Sequence, residues 1–515
     1  MTAKKKIYLD GQSLTIDLVS EVAQGKAEDF EILLKDEAIA KMKASKDYVN
    51  KLVDKGEPVY GINTGFGALS NMRIEKADLA TLQYNLIRSH CTGVGEPFDR
   101  ATTRAIMLIR ANCLATGFSG VSMAPVELLL DFLNKDINPV VPCKGSVGAS
   151  GDLAPLSHIA LALIGEGEVV YQGKTVSADF VIDQIGKKPA TLGAKDGLAL
   201  INGTAVMLAL GCLAVTRSEN LAKSADLIAC MSVDGLRGTS KAYSTLISSL
   251  KPHAGQLEVC ANLNMILEGS EIIESHHDCG KVQDPYSLRC VPQVHGSARQ
   301  TIKHAREIFT TELNSVTDNP LIFVEDDMVI SGGNFHGEAL ALSLDYLAMG
   351  IAEFCSISER RIEKMMNPHF SDLPSFLVKS SGLNSGLMIA HVTAAALTSE
   401  NKTLCHPSSI DSVPTSTDKE DHVSMGVSAG RKAHVVIDNL AHILSIETLA
   451  NTQAIEYHRP LKSSPVIEDL VSLVRKHVPF IENDRVFYKD MENINTLINT
   501  GEFVQTALKR VGAIQ

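Results

Sequence analysis

The chain has 515 residues, 45% hydrophobic and 21% charged, with a formal net charge of -12. That length exceeds what one hydrophobic core normally serves, so two or three packed units are expected, and the apolar content excludes a disordered chain. The acidic balance, with no basic stripe, argues against a nucleic-acid partner and favours a protein kept soluble by its surface charge.

In chain order, the N-terminal MTAKKKIYLDGQ reaches Asp10 and Gly11 before any apolar run develops, so it does not read as a signal peptide. Residues 99–116 carry apolar and Ala positions at three- and four-residue spacing, which predicts a helix. Glu168-Val169-Val170-Tyr171 and Lys174-Thr175-Val176 flank Gln172-Gly173 and predict a small hairpin. The most apolar stretch, 198–215, approaches membrane-span length but contains Asn202, Gly203 and Thr204, so a buried helix is expected there. Leu321 to Val324 and Met328 to Ile330 flank Glu325-Asp326-Asp327 and predict a second hairpin. Over 338–366, Leu340, Leu344, Leu347, Ile351 and Phe354 step by 4, 3, 4, 3, and 430–457 repeats the idea through Val436, Ile437, Leu440, Ile443 and Leu444. Helices of such length imply a long bundle, and strand and helix do not alternate as a doubly wound sheet requires. No internal repeat or low-complexity linker marks the domain boundaries, which are expected near Gly193 and Pro460: an N-terminal unit 1–195, a central bundle 196–460 and a C-terminal helical segment 461–515.

The ten cysteines are scattered with no CxxC pair, as in a reduced cytosolic protein. His276-His277-Asp278-Cys279 is the one local cluster. Adjacent side chains diverge on any regular element, so it reads as a loop, and no metal is expected.

The segment that carries chemistry is Gly145-Ser146-Val147-Gly148-Ala149-Ser150-Gly151-Asp152. Its glycine spacing does not fit a dinucleotide loop, it lacks the Gly-Lys-Ser/Thr of a phosphate loop, and Asp152 replaces the last glycine of a hydrolase elbow. Gly173-Lys174-Thr175 fails as a phosphate loop because Glu168 stands in place of its first glycine. What remains is a small-Ser-Gly tripeptide in a loop, followed by Asp152 as a helix cap and Pro155 in a first turn. The nitrogen of Gly151 can approach the carbonyl carbon of Ala149, because neither residue has bulk to prevent it. Ring closure and loss of the Ser150 hydroxyl would leave a methylidene-imidazolone (MIO) with an electron-poor methylene. The helix N-terminus that follows favours negative charge on that ring.

GSVGASGDLAPLSH, residues 145–158, resembles the signature of the histidine and aromatic amino-acid ammonia-lyase family. Six further blocks resemble that family in order: VYGINTGFG at 59–67, LINGT at 200–204, QDPYSLRC at 283–290, DNP at 318–320, GNFH at 333–336 and SENK at 399–402. The resemblance runs to about Lys462. It implies a mainly α, fumarase-like long helical bundle with an N-terminal catalytic unit and minor short hairpins. It also implies a cytoplasmic homotetramer whose active sites draw on several chains. The GSSxMPxK loop of the fumarase-type sister chemistry is absent.

The resemblance places MIO on Ala149, Ser150 and Gly151, and the base that takes the β-proton on Tyr60. A free tyrosine has a pKa near 10, so such a base needs positive charge or helix N-termini beside it. Arg289 is the natural clamp for a substrate carboxylate, because its planar fork matches two oxygens. Asn202 and Tyr286 are expected as hydrogen-bond donors near the electrophile or the amine, Gln283 and Phe335 as pocket wall, and Asn319 as a further substrate contact. Attack by the electrophile on the amine and attack on the ring both stay open. His90, in RSHCTGVGEP, falls where the family tunes its ring pocket, and a polar His90 with Glu400 suits an imidazole that donates and accepts hydrogen bonds. The expected reaction is deamination of L-histidine to trans-urocanate. The alternatives are a tyrosine or phenylalanine ammonia-lyase, an aminomutase, or a catalytically silent relative.

Overall fold

The helical periodicity of the sequence becomes helices in the computed structural model, which describes residues 4–56, 58–65, 72–276 and 280–515. Phe66 and Gly67 of the tyrosine loop, and His277, Asp278 and Cys279 of the local cluster, lie outside the described residues. The helix expected over 99–116 is Arg100–Ala115, opened by Asp99, whose carboxylate accepts from the Thr102 amide at 2.7 Å. The two long periodic runs form Glu338–Met366 and Gly426–Tyr457, and the residues of the 340–354 seam are all buried. The 198–215 stretch is not one helix. Asp196–Ile201 ends at Asn202, and Ala205–Gly235 begins three residues later.

Strands are short. Glu168–Tyr171 and Lys174–Ser177 pair antiparallel as expected, and Asn138–Pro139 adds a third strand against Glu168–Tyr171. Leu321–Phe323 pairs antiparallel with Met328–Ile330, the second expected hairpin. Two further pairings were not expected: Lys5–Leu9 runs parallel to Phe30–Leu34, and Val94–Pro97 lies antiparallel to Pro142–Lys144. The architecture is mainly α with minor hairpins. No disulfide joins the described cysteines.

The chain divides into two compact units, each assembled from separate stretches of sequence. The first comprises Met1–Thr216, Ala305–Asp345 and Pro407–Arg431. Its centre is Arg100–Ala115, buried at every position from Thr102 on. Around it, Leu79–His90 packs against both Leu153–Leu163 and Asp196–Ile201, the helices that adjoin the 145–152 and 202–204 loops. Lys195, buried completely, pairs with buried Asp318 at 2.8 Å and fixes the segment before Asn202 to the one before Asn319.

The second unit comprises Arg217–His304, Tyr346–His406 and Lys432–Gln515. Buried polar groups cross-link its long helices. Glu447 accepts from Arg361 Nε at 2.5 Å and Nη2 at 3.0 Å, and from Ser232 Oγ at 2.6 Å. Asp226 accepts from Arg299 at 2.6 Å and faces His295 at 2.7 Å. The shorter helix Pro465–Arg475 starts with Ser464 as cap and Pro465 in its first turn, and packs on Glu502–Val511. Among the described residues two helices, Ala205–Gly235 and Glu338–Met366, are long and apolar enough to cross a membrane, but 78% and 67% of their most apolar windows are buried. Such burial marks core helices.

Candidate active site

The 145–152 loop is held from three directions within the first unit. Ser424 Oγ donates to the Gly148 carbonyl at 3.1 Å, the Gly337 amide donates to the same oxygen at 3.3 Å, and the Met425 amide donates to the Val147 carbonyl at 2.8 Å. On the far side, Gly151 forms a parallel bridge with Gly203, and the Asp152 amide donates to the Gly203 carbonyl at 2.8 Å. The approach is so close that a Cβ on Gly151 would stand 2.1 Å from that oxygen. Gly151 also has φ +72°, and Ser150 before it has φ +55°. A left-handed non-glycine residue costs about 1–3 kcal/mol and persists only where its surroundings impose it. The tripeptide is thus turned tightly and clamped at both ends.

Asp152 stands at the N-cap position of Leu153–Leu163, as expected, but its carboxylate caps a different helix. It accepts from the Val206 and Met207 amides at 2.9 and 3.0 Å, in the first turn of Ala205–Gly235, and from Ser146 Oγ at 2.9 Å. Complete burial pushes its pKa up to about 7, against the pull of these three donors.

Beside the loop lies a cavity of about 290 Å³ lined by His90, Ala149, Gly151, Leu153, Thr415 and Glu420, among others. Ser150 Oγ donates to Glu420 Oε1 at 3.1 Å, and the other oxygen of Glu420 accepts from Thr415 Oγ1 and Ser416 Oγ, each at 2.8 Å. Sequence reasoning missed Glu420. Its only local signal was the polar run from Thr415 to His422, which is no more than a loop by itself. His90 ends the Leu79–His90 helix, with Nδ1 at 3.1 Å from Ser89 Oγ. Burial lowers its pKa below the usual histidine value, opposed by Glu420, so the ring is neutral near pH 7. Leu153 and Ala154 bring the first turn of a helix to the cavity, whose positive dipole end favours developing negative charge.

Asn202 and Asn319 meet in the same unit. Asn202 Nδ2 donates to the Asn319 carbonyl at 2.9 Å, while Asn202 Oδ1 is buried with no hydrogen-bond partner. Such an oxygen is rare in a folded protein and marks a place for a donor. Asn319 Oδ1 accepts from the Gly332 amide at 2.7 Å. Tyr60 is half-buried in a turn tied by Val59 N–H to Asn63 Oδ1 at 2.7 Å. Its neighbour Gly61 lies so close to Leu198 and Pro320 that an added Cβ would come within 2.8 Å of each. The tyrosine turn therefore packs on the segments that carry Asn202 and Asn319, although Tyr60 does not line the cavity beside Ser150. Phe335 is half-buried two residues before Gly337, the donor to Gly148.

The remaining expected residues belong to the second unit. Arg289 Nε donates to the Asp284 carbonyl at 3.1 Å, and its guanidinium lies over the Tyr286 ring, 4.5 Å from the centroid. Gln283 lines a cleft with Arg237, His276, Lys281 and Asp284. Glu400, on Met388–Leu404, accepts from Asn439 Nδ2 at 2.9 Å. Of the two glutamates, Glu420 is the one that bonds Ser150 and lines the cavity with His90.

A profile of the aromatic amino acid lyases matches residues 14–476. The chain is 47% identical over 502 residues to a histidine ammonia-lyase of Myxococcus xanthus, covering 98% of each. Among solved structures it resembles histidine ammonia-lyase from Trypanosoma cruzi, with TM-score 0.91 and 43% identity over 98% of this chain and 95% of that one. It also resembles tyrosine aminomutase from Streptomyces globisporus, with TM-score 0.92 and 36% identity over 99% of this chain and 100% of that one.

Proposed function

Because the chain belongs to the aromatic amino acid lyase family and is a carbon–nitrogen lyase, we propose that it removes ammonia from L-histidine without oxidation, releasing trans-urocanate. The observation that carries this reading is Ser150, turned tightly between Ala149 and Gly151 and bonded to Glu420, which lines the adjoining cavity together with His90.

The residues fit a methylidene-imidazolone. Closure joins Gly151 nitrogen to the Ala149 carbonyl carbon, whose oxygen leaves as water with the two amide hydrogens of Ser150 and Gly151. Ser150 then loses Oγ and its α-hydrogen as a second water. The left-handed turn favours this approach, a side chain at 151 would collide with Gly203, and the Ser150 hydroxyl to be expelled already faces Glu420. When formed, the ring supplies an electron-poor methylene that draws electrons from the substrate and eases departure of the amine.

The chain's own groups do the rest. Tyr60 takes the β-proton, the Cα–N bond breaks, and the Cα–Cβ double bond forms. Arg289 holds the carboxylate, Asn202 and Tyr286 orient the substrate by hydrogen bonds, and Gln283, Asn319 and Phe335 shape the pocket. His90, neutral near pH 7, and the Glu420 side chain give an imidazole one partner that accepts or donates and one that accepts. A phenyl ring offers neither group a hydrogen-bond partner, so the site favours a ring that carries nitrogen atoms. We assign this contact to Glu420 because it lines the cavity, and leave Glu400 with its bond to Asn439.

We further propose a cytoplasmic homotetramer with shared sites. Tyr286 is 70% exposed and Val282 95% exposed, so the segment carrying Gln283 and Arg289 offers aromatic and apolar surface to a second chain. The test of function offers the purified enzyme histidine, tyrosine and phenylalanine and follows product absorbance. Urocanate from histidine, absent in Ser150→Ala, is the expected result. Coumarate from tyrosine as main product, or the β-amino acid of an aminomutase, would overturn the histidine assignment.

A further inference from the structure

The sequence offered no convincing set of metal ligands, yet the fold of the first unit gathers one. His336 and Glu338 lie on either side of Gly337 at the start of Glu338–Met366, and His422 comes from the segment after Glu420. One donor atom from each lies within 4.8 Å of the others. We propose that His336, Glu338 and His422 form a divalent-cation site of the Zn²⁺ class that fastens together the two segments gripping the 147–150 loop.

Three observations carry it. The donor set, two imidazoles and a carboxylate, suits Zn²⁺ rather than Mg²⁺ or Ca²⁺, which prefer oxygen alone. Tetrahedral Zn²⁺ with bonds of about 2.0–2.2 Å places its ligand atoms roughly 3.4 Å apart, so modest side-chain rotation completes the site. Second, Glu338 Oε2 is buried with no hydrogen-bond partner. A carboxylate oxygen in that position is costly unless something positive meets it, and a cation there would satisfy it. Third, His336 Nε2 stands 3.2 Å from the His422 carbonyl oxygen. A bond donated by Nε2–H occupies that nitrogen and orients the ring, leaving Nδ1 as the atom to meet a metal.

The position gives the site a purpose. Gly337, between two of the ligands, donates to the Gly148 carbonyl. Two residues before His422, Glu420 accepts from Ser150, and shortly after it Ser424 and Met425 donate to Gly148 and Val147. A cation joining 336–338 to 422 would hold both sides of this grip at fixed separation. His422 is exposed, so ions have a way in.

The test titrates chelator-stripped full-length enzyme with Zn²⁺ by calorimetry and repeats it with His336→Gln, His422→Gln and, as control, His253→Gln on the exposed surface. Loss of a partner that merely orients a ligand costs about 10–100-fold in metal affinity, so each ligand variant should lose at least about that much. The control should bind one Zn²⁺ per chain like the wild type. X-ray absorption on the loaded wild type should give nitrogen and oxygen neighbours at about 2.0–2.2 Å without sulfur, and it keeps the test decisive if a variant does not fold. Zn²⁺ should also slow amide exchange in peptides covering 333–338 and 420–427. Undiminished stoichiometric binding in both ligand variants, sulfur among the neighbours, or no stoichiometric binding by the wild type would overturn the proposal.

Discussion

Glu420 accepts from the hydroxyl groups of Ser150, Thr415 and Ser416; the first departs on ring closure, but the other two stay on one oxygen and hold the side chain before any substrate arrives. Glu420→Gln keeps the shape and removes the charge. A hydrogen bond to a charged group is worth about 1.5–3 kcal/mol, so kcat/KM for histidine should fall roughly ten- to a hundredfold, measured as urocanate formation. An unchanged kcat/KM would take Glu420 out of the imidazole contact. Asp152 gives a pH dependence. Its folded pKa, about 7, lies above the ordinary 3.8, so the folded state keeps a proton that the unfolded state releases as pH rises between those values. Its contribution is therefore fully present below pH 4 and is lost as pH rises through about 7. Relative to Asp152→Asn, wild type should lose unfolding free energy over that window, and a constant difference would contradict the assignment. The tripeptide 149–151 could be singled out in the sequence because the chemistry proposed for it needs only three adjacent residues. Glu420 could not, because it stands 270 residues along the chain from the hydroxyl it meets, and spacing alone cannot join such a pair. The His336, Glu338 and His422 group was hidden for the same reason.

At the level of elements, apolar steps of three and four residues mark the long helices, since a buried face repeats with the helical turn. The limits of Glu338–Met366 follow this closely. The reading of 198–215 as one helix failed at Asn202-Gly203-Thr204, where Gly203 takes φ +153° and lies against Arg110 and Thr317 too closely for any side chain. Composition was apolar on both sides of that break, and only the tertiary contact decides it. The parallel pair Lys5–Leu9 and Phe30–Leu34 also escaped, because the two strands are five residues each and separated by a helix. In the second unit, Glu447 depends on Arg361 for its charge partner, both being almost wholly buried. Arg361→Met would leave that carboxylate unpaired, and removing one member of a buried pair costs about 3–5 kcal/mol. Chemical denaturation followed by circular dichroism should show a loss of that order, whereas a loss under about 1 kcal/mol would mean that the pair does not stabilise the bundle.

At the level of the whole molecule, chain length and long helices announced a multi-unit α protein. The contiguous boundaries expected near Gly193 and Pro460 have no counterpart in sequence composition that could reveal how separate stretches assemble into each unit. A homotetramer with shared sites predicts a solution mass of four chains of 55.4 kDa each by sedimentation at assay concentrations. A fully active monomer would contradict shared sites while leaving the chemistry of the loop intact. That chemistry is the centre of the account, because Tyr60, Arg289, His90 and Glu420 have little to act upon unless Ala149-Ser150-Gly151 becomes an electrophile. The direct test is the intact-protein mass of active wild type, with the difference located by peptide mapping. The account predicts a mass two waters below that of the sequence, confined to the peptide holding 149–151 and absent in Ser150→Ala. A fully active enzyme with the unaltered sequence mass would contradict it.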